Sequence, residues 1–325
     1  MTSSSFQINT NRSESGVQIK GKSQVSGVRE SNEMEAEPSP RPKTVQRRLT
    51  GERAAFFCKH HDFDSVTFAD GESPLKHASD IRLNQSGFQW KYPLWYCKDI
   101  SLKDCTLFTM ARAGIWYTQN ISLEDTTIQA PKTLRRSSGI VMRDVTMPNA
   151  DETLWNRSDI DMEHVSAQGD YFAMNSHGIR ARDFSLDGNY SFDGASDINI
   201  DHARILSKDA FWNSENVTVW NSTISGEYLG WNSKNLTFEN CQIESLQGMC
   251  YIDNLVLRNC RLINTTLAFE YSNVDVEARG YVDSILNPQS GTIRADGFGK
   301  IALEPERVDP EKTIIEENSA TSRTR

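Results

Sequence analysis

The chain contains 325 residues, of which 37% are hydrophobic, and carries a formal net charge of -9. Its length suffices for one elongated core or two compact ones, and its acidity disfavours a general nucleic-acid binder, whose affinity comes from excess Lys and Arg. No apolar run approaches the roughly 18 residues of a transmembrane helix, and no N-terminal apolar segment resembles a signal peptide, so we expect no membrane association and a cytoplasmic location.

The two ends of the chain differ in composition from its middle. Residues 1–48 are rich in Ser, Glu, Pro and Arg, lack an apolar period, and are predicted to be a disordered tail. Residues 304–325 have a similar composition and give the same prediction. The folded part is therefore expected to span residues 49–303.

Within this span one short phrase recurs, as in DISLKDCTL, NISLEDTTI and NLTFENCQI. Most successive copies are 19 residues apart, and weaker copies at His61, Val274 and Ile293 extend the series. The first apolar residue of each copy, called position zero below, falls at Ile81, Ile100, Ile121, Ile140, Ile160, Ile179, Ile198, Val217, Leu236 and Leu255.

The residues around position zero predict three short strands in each repeat. Positions 0 and +2 are apolar, as are +5 and +7, and a third apolar position lies six residues before zero. Position +4 is usually Asp, Asn or His, which is typical of a bend, because Asp and Asn tolerate left-handed backbone. The alternation excludes a coiled coil, and the repeat is too short for a propeller blade. The pattern predicts an all-β, right-handed parallel β-helix of about 12 coils of about 19 residues.

Several longer phrases carry a family resemblance. They are LTGERAAF at 49–56, ADGESPLK at 69–76, GEYLGWNSKNLTFENC at 226–241, LAFEYSNVDVEARG at 267–280 and DSILNPQSGTIRAD at 283–296. Together they resemble the bacterial β-helix family named only as domain of unknown function 3737. The resemblance implies a single-stranded, right-handed parallel β-helix of pectin-lyase-like architecture and unknown biochemical role, and it supplies no catalytic residues.

A column of tryptophans gives the first functional hypothesis. Five of the seven share the slot five residues before zero, called slot −5: Trp95, Trp116, Trp155, Trp212 and Trp231. The residue before each tryptophan is apolar and is expected to point inward, so strand alternation points the tryptophan outward. There the five rings would form a stacking platform for an extended ligand, with Arg136 nearby. The alternative is an internal aromatic stack, because a corner breaks strict alternation and an exposed ladder would be an unusual apolar patch.

A pair of carboxylates gives the second hypothesis. Asp151 and Asp170 occupy equivalent positions in adjacent coils, so their carboxylates should lie about 5 Å apart, as in a retaining glycosidase. Arg135 could stabilise an anionic sugar or intermediate beside them. The alternative is that a solenoid surface stacks charges automatically and these groups are merely solvated.

These patterns leave three functions open. The preferred one is a non-enzymatic binding or scaffold protein that uses the aromatic face for a carbohydrate or a protein. The second is a polysaccharide lyase or glycoside hydrolase based on Asp151 and Asp170, and the third is a structural coil stack that self-assembles through its ends. No metal site, cofactor or nucleic-acid partner is expected, and the oligomeric state is left open.

Overall fold

The computed structural model describes residues 40–318, so the disorder predicted for residues 1–39 and 319–325 lies outside the described part of the chain. The described part is all-β, apart from one short 3-10 helix (Pro310–Lys312). It winds into a parallel β-solenoid of about 14 turns of about 19 residues. No helix within residues 40–318 is long and apolar enough to cross a membrane.

The coils are built from 26 strands. Those of the N-terminal coils are β1 (Lys43–Val45), β2 (Arg48–Leu49), β3 (Lys59–Asp64), β4 (Thr67–Phe68), β5 (Ser79–Asn84), β6 (Gly87–Phe88), β7 (Leu94–Trp95), β8 (Lys98–Lys103), β9 (Thr106–Leu107), β10 (Ile115–Trp116), β11 (Gln119–Glu124) and β12 (Thr127–Ile128). The middle coils contain β13 (Ser138–Met147), β14 (Ser158–Gln168), β15 (His177–Asp187), β16 (Ser196–Leu206), β17 (Glu215–Trp220), β18 (Thr223–Gly226), β19 (Lys234–Glu239), β20 (Gln242–Ser245) and β21 (Asp253–Ile263). The C-terminal coils contain β22 (Asn273–Arg279), β23 (Tyr281–Leu286), β24 (Ser290–Ala295), β25 (Gly297–Ala302) and β26 (Thr313–Glu317).

Parallel pairing places each residue on the equivalent residue of the next coil. Ile121 of β11 pairs with Ile100 of β8 on one side and with Ile140 of β13 on the other. The same column continues through β14 to β21. The buried side chains at positions 0 and +2 join one continuous apolar core along the solenoid. The predicted parallel β-helix is thus confirmed, whereas its right-handed sense stays a prediction.

The predicted boundaries of 49–303 are too narrow for the paired strands. β1 pairs with β3, and β26 pairs with β24, so the solenoid begins before residue 49 and continues beyond residue 303. These end strands were missed because most of their side chains are exposed, which removes the apolar alternation that reveals the inner coils. The assignment of Ile293 to position zero is also wrong. Val274 pairs with Gly291, so the interval between these two coils is shorter than 19 residues.

The bends on either side of the position-zero strand rely, in most coils, on residues with positive φ. The predicted bend at position +4 is present, for example at Asn240, where φ is 54°. A second bend, one residue before position zero, was not predicted. There Asn235 has φ 55°, donates to Asn216 Oδ1 at 2.9 Å, and accepts from Asn254 Nδ2 at 3.0 Å. Asn and Asp suit these columns because they tolerate left-handed backbone and can bond to one another from coil to coil.

We expect Asn235→Ala to destabilise the solenoid more than Asn235→Gly does. Both changes remove the side-chain bonds to the neighbouring coils, but only Ala adds the steric cost of left-handed backbone, which is about 1 kcal/mol. Urea unfolding of the two variants measures the difference in free energy of unfolding. Equal stability of the two variants would contradict the assigned backbone constraint.

Candidate ligand-binding face

The slots −6, −5 and −4 form one corner of each coil. Leu94 at slot −6 is buried, and Trp95 at slot −5 is half-buried. At slot −4, Tyr96 and Tyr117 have φ of 57° and 56°; Tyr96 is exposed, and Tyr117 is half-buried. The left-handed residue turns the chain, so strict in-and-out alternation fails here and two successive side chains reach the surface.

The side chains at slot −5 form a continuous stack in the N-terminal half. The rings of Trp95 and Trp116 are 5.3 Å apart and inclined by only 9°. The guanidinium of Arg135 lies 5.6 Å from the Trp116 ring and 4.2 Å from the Trp155 ring. Lys76 extends the series over Trp95 at 5.9 Å. We call Lys76, Trp95, Trp116, Arg135 and Trp155 the inner stack.

The indole rings of the inner stack are attached to the coil that follows each of them. Trp95 Nε1 donates to Ala113 O at 2.6 Å, and Trp116 Nε1 donates to Lys132 O at 2.9 Å. Trp155 and Trp212 make equivalent bonds, so the indoles lie along the surface with their polar atoms satisfied. The tryptophans are therefore half-buried side chains fixed at the surface, neither freely exposed nor part of the core, and their role as ligand residues stays a prediction.

A second stack runs beside the first at slot −4 and was not anticipated from the sequence. His77 is stacked on Phe57 at 5.0 Å and on Tyr96 at 5.2 Å. Tyr96 and Tyr117 are 4.7 Å apart and almost parallel, at 3°. Arg136 follows, 5.9 Å from the Tyr117 ring, so this predicted ligand residue lies at the end of the series. We call Phe57, His77, Tyr96, Tyr117 and Arg136 the outer stack. The sequence signal for this stack was an aromatic ring at slot −4 in four successive repeats.

The remaining two predicted tryptophans belong to a separate cluster. Met174 and Asp193 occupy slot −5 between Trp155 and Trp212 and interrupt the stack. Trp212 and Trp231 are 6.2 Å apart at an angle of 35°, so they do not continue the regular stacking. The tryptophan column expected from the sequence is thus divided into two groups.

The predicted catalytic carboxylates are neighbours with structural hydrogen bonds. Asp151 Oδ1 accepts from the Asp170 N–H at 2.9 Å, and Asp170 Oδ1 accepts from the Asn189 N–H at 2.7 Å. Both line a shallow cavity that also includes Asp187. Arg135 forms its ion pair with Glu152 instead. These contacts join successive coils, and catalysis by Asp151, Asp170 and Arg135 stays a prediction.

Two buried charged residues were missed by sequence reasoning. Arg157 is 1% exposed, and its Nε has no hydrogen-bond partner within residues 40–318. Asp209 is 2% exposed, and its Oδ2 likewise lacks a partner in this range. Burial raises the pKa of Asp209, and Glu227 adds to the increase while Lys208 opposes it. The sequence signal for Arg157 was a charged residue in an otherwise small-residue column.

Comparison with known proteins confirms the family resemblance inferred from the sequence. A model of the family described as Protein of unknown function (DUF3737) matches residues 43–316. No curated protein matches the chain.

Three solved structures are similar to this chain. The A-module of the Azotobacter vinelandii mannuronan C-5 epimerase AlgE4 has 8% identity and a TM-score of 0.27, covering 86% of this chain and 90% of that chain. PfbA, a surface adhesin of Streptococcus pneumoniae, has 10% identity and a TM-score of 0.27, covering 83% and 89% respectively. QnrB1, a plasmid-mediated fluoroquinolone resistance protein, has 11% identity and a TM-score of 0.21, covering 62% and 84%.

We expect Asp209→Asn to raise the melting temperature at neutral pH. The folded-state pKa of Asp209 lies above that of the unfolded chain, so the ionised carboxylate destabilises the fold at neutral pH. This penalty disappears as the pH falls below the unfolded-state pKa of about 4. Thermal unfolding across this pH range should show the gain of the variant fading in acid.

The exposed Asp253 provides a matched control, because Asp253→Asn removes the same charge without a buried environment. This control is expected to show no gain at neutral pH. A lower melting temperature of Asp209→Asn at neutral pH would mean that the buried carboxylate stabilises the fold.

Proposed function

This chain belongs to the family described as Protein of unknown function (DUF3737), and we propose that it is a binding protein that holds an extended, negatively charged carbohydrate against its two stacks. The binding surface consists of slots −5, −4 and −2 of six successive coils, and we call it the stack face. Its members are Phe56, Phe57, Lys59, Lys76, His77, Ser79, Trp95, Tyr96, Lys98, Trp116, Tyr117, Gln119, Arg135, Arg136, Ser138, Trp155, Asn156 and Ser158.

The charge of the stack face is the observation that carries the proposal. It contains five Lys or Arg residues and no Asp or Glu, on a chain whose net charge is -9. Lys59, Lys76, Lys98 and Arg136 form no ion pair within residues 40–318, and Arg135 is the member that pairs, with Glu152. Unpaired cations grouped on one surface attract an anionic partner and repel a cationic one.

The orientation of the rings adds to this preference. In each stack the ring faces are covered by their neighbours, since Tyr96 and Tyr117 are separated by 4.7 Å and Trp95 and Trp116 by 5.3 Å. The parts left for a ligand are the ring edges, which carry partial positive charge, whereas the ring faces carry partial negative charge. A neutral sugar that needs a free ring face is therefore a poorer candidate than an acidic chain lying along the edges.

The spacing of the stack face suits a polymer. Equivalent residues of successive coils are about 4.8 Å apart in a parallel β-structure, which is similar to the advance of a carbohydrate chain per pyranose residue. A chain lying along the solenoid axis would thus meet the same slots once per sugar. The tyrosine hydroxyls and the Ser and Gln side chains provide hydrogen-bonding partners between the cations.

Acidic residues mark the border of the stack face. In the column beside slot −2, Asp80 binds Arg41 and His60, and Asp99 accepts from Asn120. In later coils slot −2 contains Glu215 and Asp253. These carboxylates would repel an acidic ligand, so the proposed site is limited to the N-terminal six coils.

The other predicted functions lack a comparable surface. Enzymatic action on the carbohydrate would depend on Asp151 and Asp170. The Oδ1 atom of each already accepts a hydrogen bond from a backbone N–H of the next coil. A protein ligand and self-assembly through the ends stay predictions, as does a cytoplasmic location.

The test is calorimetric binding of an oligogalacturonate and of its methyl-esterified, uncharged counterpart. We expect the acidic chain to bind at least about tenfold more tightly than the ester, and its affinity to fall with added salt, since screening weakens charge attraction. Tyr117→Asn should weaken binding, because it removes one ring edge while keeping a residue that slot −4 carries elsewhere, as at Asn156 and Asn175.

The matched control is Tyr251→Asn, a tyrosine of slot −4 with φ 58° that lies outside the stack face. This variant should bind the acidic chain as the unmodified protein does. Equal affinity for the acidic chain and its ester, or equal loss in the two variants, would exclude the proposed site.

A further inference from the structure

One buried column of small polar residues is interrupted by an arginine. At slot −3, Thr118, Ser137 and Ser176 are buried. Ser137 Oγ accepts from the Thr118 N–H at 3.1 Å, and Ser176 Oγ donates to Leu154 O at 2.6 Å. The hydroxyls thereby satisfy backbone groups between coils. Arg157 occupies this slot between Ser137 and Ser176.

The guanidinium of Arg157 is enclosed without an opposite charge. Its Nη1 donates to Ser137 O at 2.9 Å, and its Nη2 donates to Trp155 O. Within residues 40–318 no carboxylate forms an ion pair with it, and its Nε has no partner. Burial together with the positive charges of Arg136 and Arg135 lowers the pKa of Arg157 to about 9, which leaves the group cationic at neutral pH.

Such an arrangement is costly for the protein alone. A buried charge needs a partner to offset its lost hydration, and two carbonyl oxygens supply only partial negative charge. Ser fits the same buried slot in both adjacent coils, at Ser137 and Ser176. The arginine therefore adds a positive charge that the coil does not require.

The surface next to Arg157 is suited to an anion. Arg157 is part of the lining of a shallow cavity of about 480 Å³, together with Arg136, Tyr96, Tyr117, Gln119 and His177. None of the cavity's ten lining residues is Asp or Glu. Arg136 is exposed, forms no ion pair within the described chain, and ends the outer stack over Tyr117. One cation at the surface and one buried in the lining thus act on the same space.

We propose that this cavity is an oxyanion subsite, in which Arg136 binds a carboxylate, phosphate or sulfate group directly and buried Arg157 fixes the position of the charge. The identification of the anion as the acidic group of a carbohydrate rests on the proposed function. The subsite itself does not, because a free oxyanion would satisfy the same two cations.

The test compares inorganic phosphate with D-glucuronate as probes of the full chain, by thermal unfolding and calorimetry. We expect at least one of them to raise the melting temperature and to bind saturably. Arg157→Ser restores the small-residue column, so it should raise the melting temperature in anion-free buffer and abolish the rise caused by the probe. Arg136→Gln, which alters an exposed residue, should keep the fold and weaken probe binding about tenfold or more.

Arg82→Gln is the control, because Arg82 is exposed and lies outside the cavity lining, and the variant removes the same charge. It should keep both the melting temperature and the binding. Binding of phosphate assigns a free oxyanion, and binding of glucuronate alone assigns the acidic group of a sugar. The inference is overturned if neither probe binds, if Arg82→Gln weakens binding as much as Arg136→Gln, or if Arg157→Ser folds and still binds.

The outcomes also separate this inference from the carbohydrate proposal. Phosphate binding that Arg157→Ser abolishes, without any binding of oligogalacturonate, keeps the oxyanion subsite and removes the carbohydrate ligand. Oligogalacturonate binding that Arg157→Ser leaves unchanged, without any binding of phosphate or glucuronate, keeps the stack face and removes the subsite.

Discussion

Parallel pairing in register is the constraint on which the rest of this structure depends. Because Ile121 lies between Ile100 and Ile140, the neighbouring residues of its strand also face their equivalents in the coils on either side. One residue type repeated in one slot therefore becomes a row: apolar at position zero, amide at the bends, aromatic at slots −5 and −4. The same constraint makes a single exception conspicuous, as at Arg157, where a charge enters a row of small residues.

The 19-residue repeat made the fold predictable from the sequence. The corner at slots −6 to −4 made the orientation of the candidate site residues harder to predict. Period-two alternation gave the buried positions, because those strands are regular, and the column of Asp, Asn and His residues gave the bend at +4. It could not settle Trp95 or Trp116, since a left-handed residue follows each one and breaks alternation. The outer stack was missed for the same reason. The end strands β1 and β26 were missed because their mostly exposed side chains show no apolar pattern.

The two stacks change how aromatic residues on a solenoid should be interpreted. A row of tryptophans first suggests faces for sugar stacking, but regular spacing covers those faces and leaves the edges. Two arginines add positive charge to the same stacks. Arg135 lies between Trp116 and Trp155 in the inner stack, and Arg136 lies beyond Tyr117 in the outer stack. Electrostatics rather than ring stacking is the property that this surface offers to a ligand. Family membership assigns no activity, and the proposed binding therefore depends on the residues of this chain.

The most direct test of the central claim is an NMR titration of the seven tryptophan indole N–H signals with an acidic oligogalacturonate. We expect shifts at Trp95, Trp116 and Trp155, which belong to the inner stack, and unchanged signals at Trp212 and Trp231. Shifts confined to Trp212 and Trp231, or no shift at any indole, would contradict a binding site on the stack face.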